Sequence, residues 1–385
     1  MNKIINSITS NFLLNFSAKP RLFFSPGRIN LIGEHVDYND GFVMPAAIDK
    51  GVYYALAKND KNTVNFNALD FDEKISIDLG AIKKDESWKN YVLSVVNEFL
   101  LLKVNIGGFD CVFSGDIPRG SGMSSSAAVE GGLAFGLNEL FDVGLNRVEL
   151  ALLCQRAEHN FPNVQCGIMD QFANMMGNKD QVILLDCKNI SHQYFPLQLN
   201  GYKLVLMNTN VHHSLAGGEY NVRRQRCEEG LAILNQHEPV TSFRDVKKES
   251  LEAVKTKMDP KVYNCCLFVV EEIARTQKAA MLLQEADVIG FGKLMYEAHE
   301  GLSKLYEVSC DELDYLVEQT NKYAAVIGSR MMGGGFGGCT INIIKEDGLD
   351  HFIAETTREY TQQFNIVPEA YIVATSDGTS EISFV

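Results

Sequence analysis

Apolar and polar residues alternate over residues 74–79 (KISIDL), the two-residue period of a half-buried strand. Residues 51–57 (GVYYALA) and 63–67 (TVNFN) are rich in the β-branched and aromatic types that strands favour. Residues 109–113 read as another strand, so the first hundred or so positions read as strands with turns between them. From Ser126 the period changes. Val129, Leu133, Leu137 and Phe141 recur every four residues and share one helical face. A second helix is predicted over 147–160, with Leu150, Leu153 and Ala157 inward, and residues 204–207 (LVLM) form a buried strand. The second half is helix-rich, with helices predicted over 219–236, 262–284, 291–306, 311–323 and 351–363. Strands follow at 340–344 and 370–374. This is an α+β order without repeats. The polar, irregular stretch 188–200 marks a boundary, giving units 1–187 and 188–385.

Composition adds little to the fold but narrows the partners. Hydrophobic residues make up 46% and charged residues 22%, an ordinary globular balance. The formal net charge of −14 repels polyanions, so nucleic acid and anionic membrane are not expected partners. A nucleotide needs only local amides, a metal and a few cations, and stays open. Nine cysteines, without paired C-x-x-C spacing, read as reduced thiols. The N-terminus lacks the continuous apolar core of a signal peptide, and no apolar run approaches the roughly 20 residues of a bilayer span. A soluble cytoplasmic protein is expected.

Four constellations carry chemistry. In the first, residues 26–41, Arg28, Glu34, His35, Asp37 and Asp40 sit between Gly27, Gly33 and Gly41. Glu34, His35 and Asp37 offer several acceptors and one switchable donor, which suits a ligand made of hydroxyl groups. A solvated turn with charges toward water fits the composition equally well. The second, residues 117–128, is a Gly- and Ser-rich loop entering a helix. Unpaired helix N–H groups and the macrodipole favour phosphate there, and a serine can ligate Mg²⁺. With no Lys after the second Gly it is not a Walker A sequence. The alternative is a Ser-capped helix. The third pairs Glu158 with Asp170 across a short loop, so that one carboxylate holds Mg²⁺ and the other faces an acceptor hydroxyl. Caps or surface acids are the alternative. The fourth, residues 328–339, contains G-x-G-x-x-G at Gly333, Gly335 and Gly338. A strand (TINII) follows it rather than a helix, which excludes a dinucleotide fold. The run instead lets backbone pass close to a bound ligand.

Together these segments resemble the galactokinase branch of the GHMP small-molecule kinases. Residues 26–41 resemble its sugar signature, 120–128 its phosphate motif and 333–338 its C-terminal glycine motif. The segment around Asp170 and residues 208–220 are also similar. The matches run in the family's order over residues 26–340, nearly the whole chain.

The resemblance implies a two-domain fold with the active site in the cleft between the domains. It implies Asp170 as catalytic base, with Arg28 beside it and beside the transferring phosphoryl group. Glu34, His35, Val36, Asp37, Gly167, Asp170 and Tyr220 would bind the sugar. Gly120, Ser121, Gly122, Met123, Ser124, Ser125 and Ser126 would hold the ATP phosphates, with Trp88 near the adenine. Ser126 and Glu158 would ligate Mg²⁺. Met123 stands where the family more often has Leu, and Ala128 where it often has Ser. Neither change removes a ligand. The implied reaction moves the γ-phosphoryl group of ATP to the C1 hydroxyl of galactose, the first committed step of galactose catabolism, in a monomer. A kinase for another sugar and a non-catalytic galactose sensor are the rivals. The sensor's damaged phosphate loop is not seen in the intact residues 124–127.

Overall fold

The computed structural model describes residues 3–212 and 216–383. A six-stranded sheet runs in the order Ser380–Ile382, Arg21–Asn30, Pro45–Lys58, Phe109–Gly115, Thr63–Ala68, Glu73–Asp78. Its neighbours pair antiparallel except Thr63–Ala68 with Phe109–Gly115, which pair parallel. Both faces are buried. Leu22, Tyr53 and Ala55 pack under the helix Lys3–Asn15, while Phe23, Tyr54 and Leu56 join the core that includes Leu133 and Leu137 of the helix Ser125–Leu140. Burial on both faces explains why GVYYALA is continuously apolar rather than alternating. The Ser125–Leu140 helix sits close on this sheet. A Cβ on Gly132 would lie 2.3 Å from the Tyr54 ring, and one on Gly136 2.3 Å from Leu56. Helices Lys89–Leu101, Arg147–Asn160 and Met169–Met176 complete that layer.

A four-stranded antiparallel sheet follows, ordered Val326–Met331, Gly337–Lys345, Tyr202–His212, Glu369–Val373. Leu204, Leu206, Ile341 and Ile343 face Leu294, Met295 and Ala298 of the helix Val288–Lys304. Val205, Met207 and Ile344 face Leu316, Phe352 and Tyr360 of the helices Asp311–Thr320 and Leu349–Phe364. Both sides of each strand therefore meet a helix layer. The helices Ala216–His237 and Pro260–Gln284 pack against each other. Among the described residues no helix is long and apolar enough to cross a membrane.

The elements differ from the pattern-based expectation in three places. The first hundred residues also contain helices, Lys3–Asn15 and Lys89–Leu101. The polar stretch 188–200 holds a strand, Ser191–Pro196, paired with Gln181–Asp186. It is an edge strand open to water, so it lacks an apolar signature. The helix expected over 311–323 stops at Thr320. The glycine run 333–338 leads into the strand Gly337–Lys345, as the rejection of a dinucleotide fold requires. The last strand, Ser380–Ile382, returns to pair with Arg21–Asn30, so the chain's C-terminus completes its first sheet.

Candidate active site

The strand Arg21–Asn30 shifts register between Pro26 and Arg28, and Arg28 N–H donates to the Met123 carbonyl at 3.1 Å. Such an irregularity re-aims the side chain that follows it. Arg28 donates through Nε and Nη2 to the two oxygens of Asp170, each at 2.8 Å, and through Nη1 to the Gly122 carbonyl. Ser124 Oγ donates to the same carboxylate. Burial opposes the Arg28 charge, but Asp170 and then Glu34 more than offset it and raise its pKa. One guanidinium thus ties the acid at the start of the Met169–Met176 helix to the 120–126 loop.

The loop after that strand turns sharply. Gly33 has φ +88, and a Cβ there would lie 2.5 Å from the Phe42 carbonyl oxygen. Its N–H donates to Glu272 Oε1 at 2.8 Å. Glu34 is buried and lies 2.8 Å from Nη1 of Arg330, an ion pair closed off from water. Arg330 is fully buried and also donates to the carbonyls of Asn30, Leu31 and Met331. His35 adopts φ +60, and its Nδ1 is 2.8 Å from the Tyr38 hydroxyl. Burial pulls its pKa down to about 4 against the attraction of Glu34, so the ring is neutral near pH 7. Burial, then the charges of Asp170 and Glu34, push the Asp37 carboxyl up to about 7. A Cβ on Gly167 would lie 2.0 Å from Asp37 Oδ2, so only glycine allows this approach.

Two cavities flank the 120–126 loop. The first, of about 160 Å³, is lined by Arg28, Glu34, His35, Asp37, Asp170 and Tyr220, with Gly167, Glu158, Gly333 and Gly334 closing it. Tyr220 lies 5.1 Å from the Tyr38 ring and 5.5 Å from His35, centre to centre. Val36 does not line this cavity. Its side chain is buried in the core, and its carbonyl accepts from Asn39 and Gly41. The second cavity, of about 450 Å³, is lined by Phe71, Trp88, Tyr91, Phe113, Ser125 and Ser126. Trp88 stacks on Phe71 with ring centres 4.9 Å apart, and Arg119 covers the Phe71 ring at 4.4 Å.

The loop between them turns through left-handed backbone at Gly120, Gly122 and Ser124. Met123 is buried, and the Ser121 hydroxyl donates to the Pro118 carbonyl at 2.7 Å, so both residues offer a ligand main chain only. Gly333 and Gly338 pack on this loop. Their added Cβ atoms would lie 3.5 Å from the Gly122 carbonyl oxygen and 3.4 Å from that of Gly120.

Glu158 stands at the junction of the cavities. Its Oε2 accepts from Gln171 Nε2 at 2.6 Å, and the nearby Ser126 side chain favours the charged form of the same carboxyl. Burial and the Asp170 charge push its pKa up to about 7. Oxygen ligands of this kind suit Mg²⁺, which is usually held by one or two carboxylates plus substrate phosphates. Among the described residues no group of three or more His, Cys, Asp or Glu could hold a metal unaided.

The sequence-predicted residues therefore converge from distant positions. Ser125 and Ser126 line the aromatic cavity with Trp88, while Gly122 and Ser124 of the same loop bond to the Arg28–Asp170 pair that lines the polar one, and Gly120 packs against the 333–338 run. Of the similar stretch 208–220, residues 213–215 lie outside the described residues. Sequence reasoning missed Arg330, Tyr38, Tyr306, Phe71 and Gln171. Only Arg330 carried a signal, as a lone charge in an apolar and glycine-rich run.

Family models match along the chain: the galactokinase galactose-binding signature over residues 10–58, the GHMP kinases N terminal domain over 90–178 and the GHMP kinases C terminal over 279–360. A galactokinase of Clostridium beijerinckii is 42% identical, with 98% of this chain and 99% of that protein covered. A galactokinase of Clostridium acetobutylicum is 43% identical, covering 99% and 100%. The crystal structure of Lactococcus lactis galactokinase complexed with galactose superposes with a TM-score of 0.95 at 32% identity, over 98% of this chain and all of that one. A mevalonate kinase shares the fold alone, with a TM-score of 0.62 at 17% identity over 92% and 99%.

Proposed function

This chain belongs to the galactokinase family of GHMP kinases and phosphorylates galactose with ATP, and on that premise we propose how its residues divide the work. Galactose occupies the polar cavity, with its hydroxyls on Glu34, His35, Asp37, Tyr220 and the Gly167 backbone. The ATP base sits against Trp88 in the aromatic cavity. The phosphates cross the 120–126 loop, on its main-chain amides and the first N–H groups of the Ser125–Leu140 helix. Val36 shapes the loop through its carbonyl, which accepts from Asn39 and Gly41, and does not touch the sugar.

The observation that carries this reading is the Arg28–Asp170 pair, which lines the polar cavity and bonds to Gly122 and Ser124 of the loop. The galactose C1 hydroxyl attacks the γ-phosphorus in line, and Asp170 accepts its proton. Arg28 offsets charge on Asp170 and on the transferring phosphoryl group. Phosphoryl transfer asks little covalent help of a protein, so positioning and charge dominate. Orienting two bound reactants supplies on the order of 7–11 kcal/mol, and a general base about 10²–10⁴-fold. Ser126 and Glu158 would hold Mg²⁺, which when bound neutralises charge on the nucleotide phosphates. The support is the closeness of the two side chains at the junction and their hard oxygen donors.

The reading treats 1–187 and 188–385 as two units with the site between them. Arg28, Glu34 and Asp170 come from one, and Tyr220, Arg330 and Gly334 from the other. A cytoplasmic monomer without nucleic-acid or membrane partners completes the proposal. Nine free thiols and a net charge of −14 support the compartment and the absence of polyanionic partners, and light scattering tests the monomer. Proton and phosphorus NMR of the product tests the function itself. The expected product is α-galactose 1-phosphate, formed with ADP. Phosphate on any other hydroxyl would refute the proposed pose.

A further inference from the structure

Behind the sugar-facing side of His35 runs a chain of hydroxyls that the reaction itself does not use. His35 Nδ1 is 2.8 Å from the Tyr38 hydroxyl, which is 2.9 Å from the Tyr306 hydroxyl, which is 3.3 Å from Cys227 Sγ. Tyr306 and Cys227 are fully buried. The Tyr306 backbone is also fixed, because Arg223 Nε donates to its carbonyl at 2.8 Å and Nη2 donates to that of Glu307. At the other end, His35 Nε2 is buried with no protein partner, while the ring lines the polar cavity.

A neutral imidazole carries one donor and one acceptor nitrogen, and the bond made by one nitrogen fixes the other. Each bond of this chain can run in either direction, and when every hydroxyl spends its one proton within the chain all run the same way. If Cys227 donates to Tyr306, Tyr306 to Tyr38 and Tyr38 to Nδ1, the proton sits on Nε2. The opposite direction leaves Nε2 a bare acceptor. Glu34 and Gly334 line the same cavity as His35, and the negative charge of Glu34 favours a proton on the ring nitrogen that faces it, which is the first direction. Four carboxyl groups line the cavity, from Glu34, Asp37, Glu158 and Asp170, and Arg28 is already engaged with Asp170 and Gly122, so a further donor from His35 complements this lining.

We propose that Tyr306 is a positioning residue which, through Tyr38, locks His35 as the Nε2–H tautomer and so presents a fixed donor to a galactose oxygen. Tyr306 touches neither substrate in this account. It acts on sugar recognition by preventing the ring from offering an acceptor where a donor is needed. A pairing of the wrong polarity would leave a buried sugar hydroxyl unsatisfied.

The inference rests on the galactokinase reading, and its test separates the two. The full-length protein is labelled with ¹⁵N-histidine, and the His35 signals are identified among the eight histidines by their loss in His35→Gln. Without sugar or ATP, the wild type should show an unprotonated Nδ1 and a protonated Nε2. In Tyr306→Phe the two tautomers should mix. The galactose KM should then rise by about tenfold, the scale of one net hydrogen bond, with kcat and the KM for ATP little changed. An Nδ1–H tautomer in the wild type, or an unchanged tautomer in Tyr306→Phe, would overturn the proposal. So would a fall in kcat matched by a rise in the KM for ATP, which marks general loosening. Should Tyr306→Phe not fold, Tyr38→Phe removes the hydroxyl next to the ring and must produce the same change in tautomer and galactose KM. Absence of galactose-dependent ADP release in the wild type would instead refute the functional reading, since the ¹⁵N signal needs neither substrate.

Discussion

The two cavities beside the 120–126 loop are built on opposite principles. The polar one is small, and its charged groups are held before any ligand arrives. Arg28 grips Asp170 with two bonds, Arg330 holds Glu34, and Tyr38 holds His35. The aromatic one is larger and relies on ring faces, with Trp88 stacked on Phe71. A sugar differs from its epimer only in where a hydroxyl points, so recognition needs donors and acceptors fixed in direction. A nucleotide base offers a broad π-face, and stacking tolerates looser placement. Discrimination should therefore fail sharply when the first cavity is disturbed, and affinity should fade gradually when the second is.

The largest effect expected on this contrast is Asp170→Asn. Turnover should fall by about 10²–10⁴-fold, while calorimetry finds galactose binding retained. Near-normal turnover would remove Asp170 from its role. Next is Arg330→Met, which leaves Glu34 buried without its partner. Breaking a buried pair by removing one member costs about 3–5 kcal/mol, so denaturant unfolding should show a loss of that order. An unchanged midpoint would mean that water reaches Glu34. Trp88→Ala comes third. It should raise the KM for ATP by the roughly 1–3 kcal/mol of one lost base–aromatic stack and leave the galactose KM alone. A change confined to the galactose KM would contradict the division between cavities.

A fourth effect is a pH dependence of the ligand-free protein. Asp37 is pushed up to about 7 by burial and by the charges of Asp170 and Glu34. Between its ordinary value near 4 and that value, the folded protein holds a proton that the unfolded chain has released. Stability should therefore fall as pH rises through this window and level off above it. Other raised carboxyls act in the same direction, so the informative quantity is the difference between wild type and Asp37→Asn. That difference should shrink from pH 7 toward pH 4, and a flat difference would show that Asp37 ionises normally.

The same contrast explains what could be read from the sequence. The sugar-side residues stand together, at Arg28, Glu34, His35 and Asp37, because one tight loop between Gly33 and Gly41 supplies most of the directed groups. The phosphate loop was legible for a related reason, since glycines and serines entering a helix have a local physical meaning. The aromatic cavity was not. Phe71, Trp88, Tyr91 and Phe113 come from separate elements, and each looks like an ordinary core residue until the sheet brings them together. Arg330 and Tyr306 were hidden by distance, reaching the sugar loop from roughly 300 and 270 positions away. Edge strand Ser191–Pro196 was missed because solvent, not local period, decides its pattern, whereas helix Lys89–Leu101 carries a readable period in Val92, Val95, Val96 and Phe99.

The central claim is that prefixed donors and acceptors in the polar cavity read hydroxyl stereochemistry. The most direct measurement compares kcat/KM for galactose and for glucose, its epimer, by ADP release under identical conditions. One misplaced hydroxyl leaves buried groups unpaired at about 1–3 kcal/mol each, so galactose should be preferred by at least about tenfold. Equal kcat/KM for the two sugars would contradict the account.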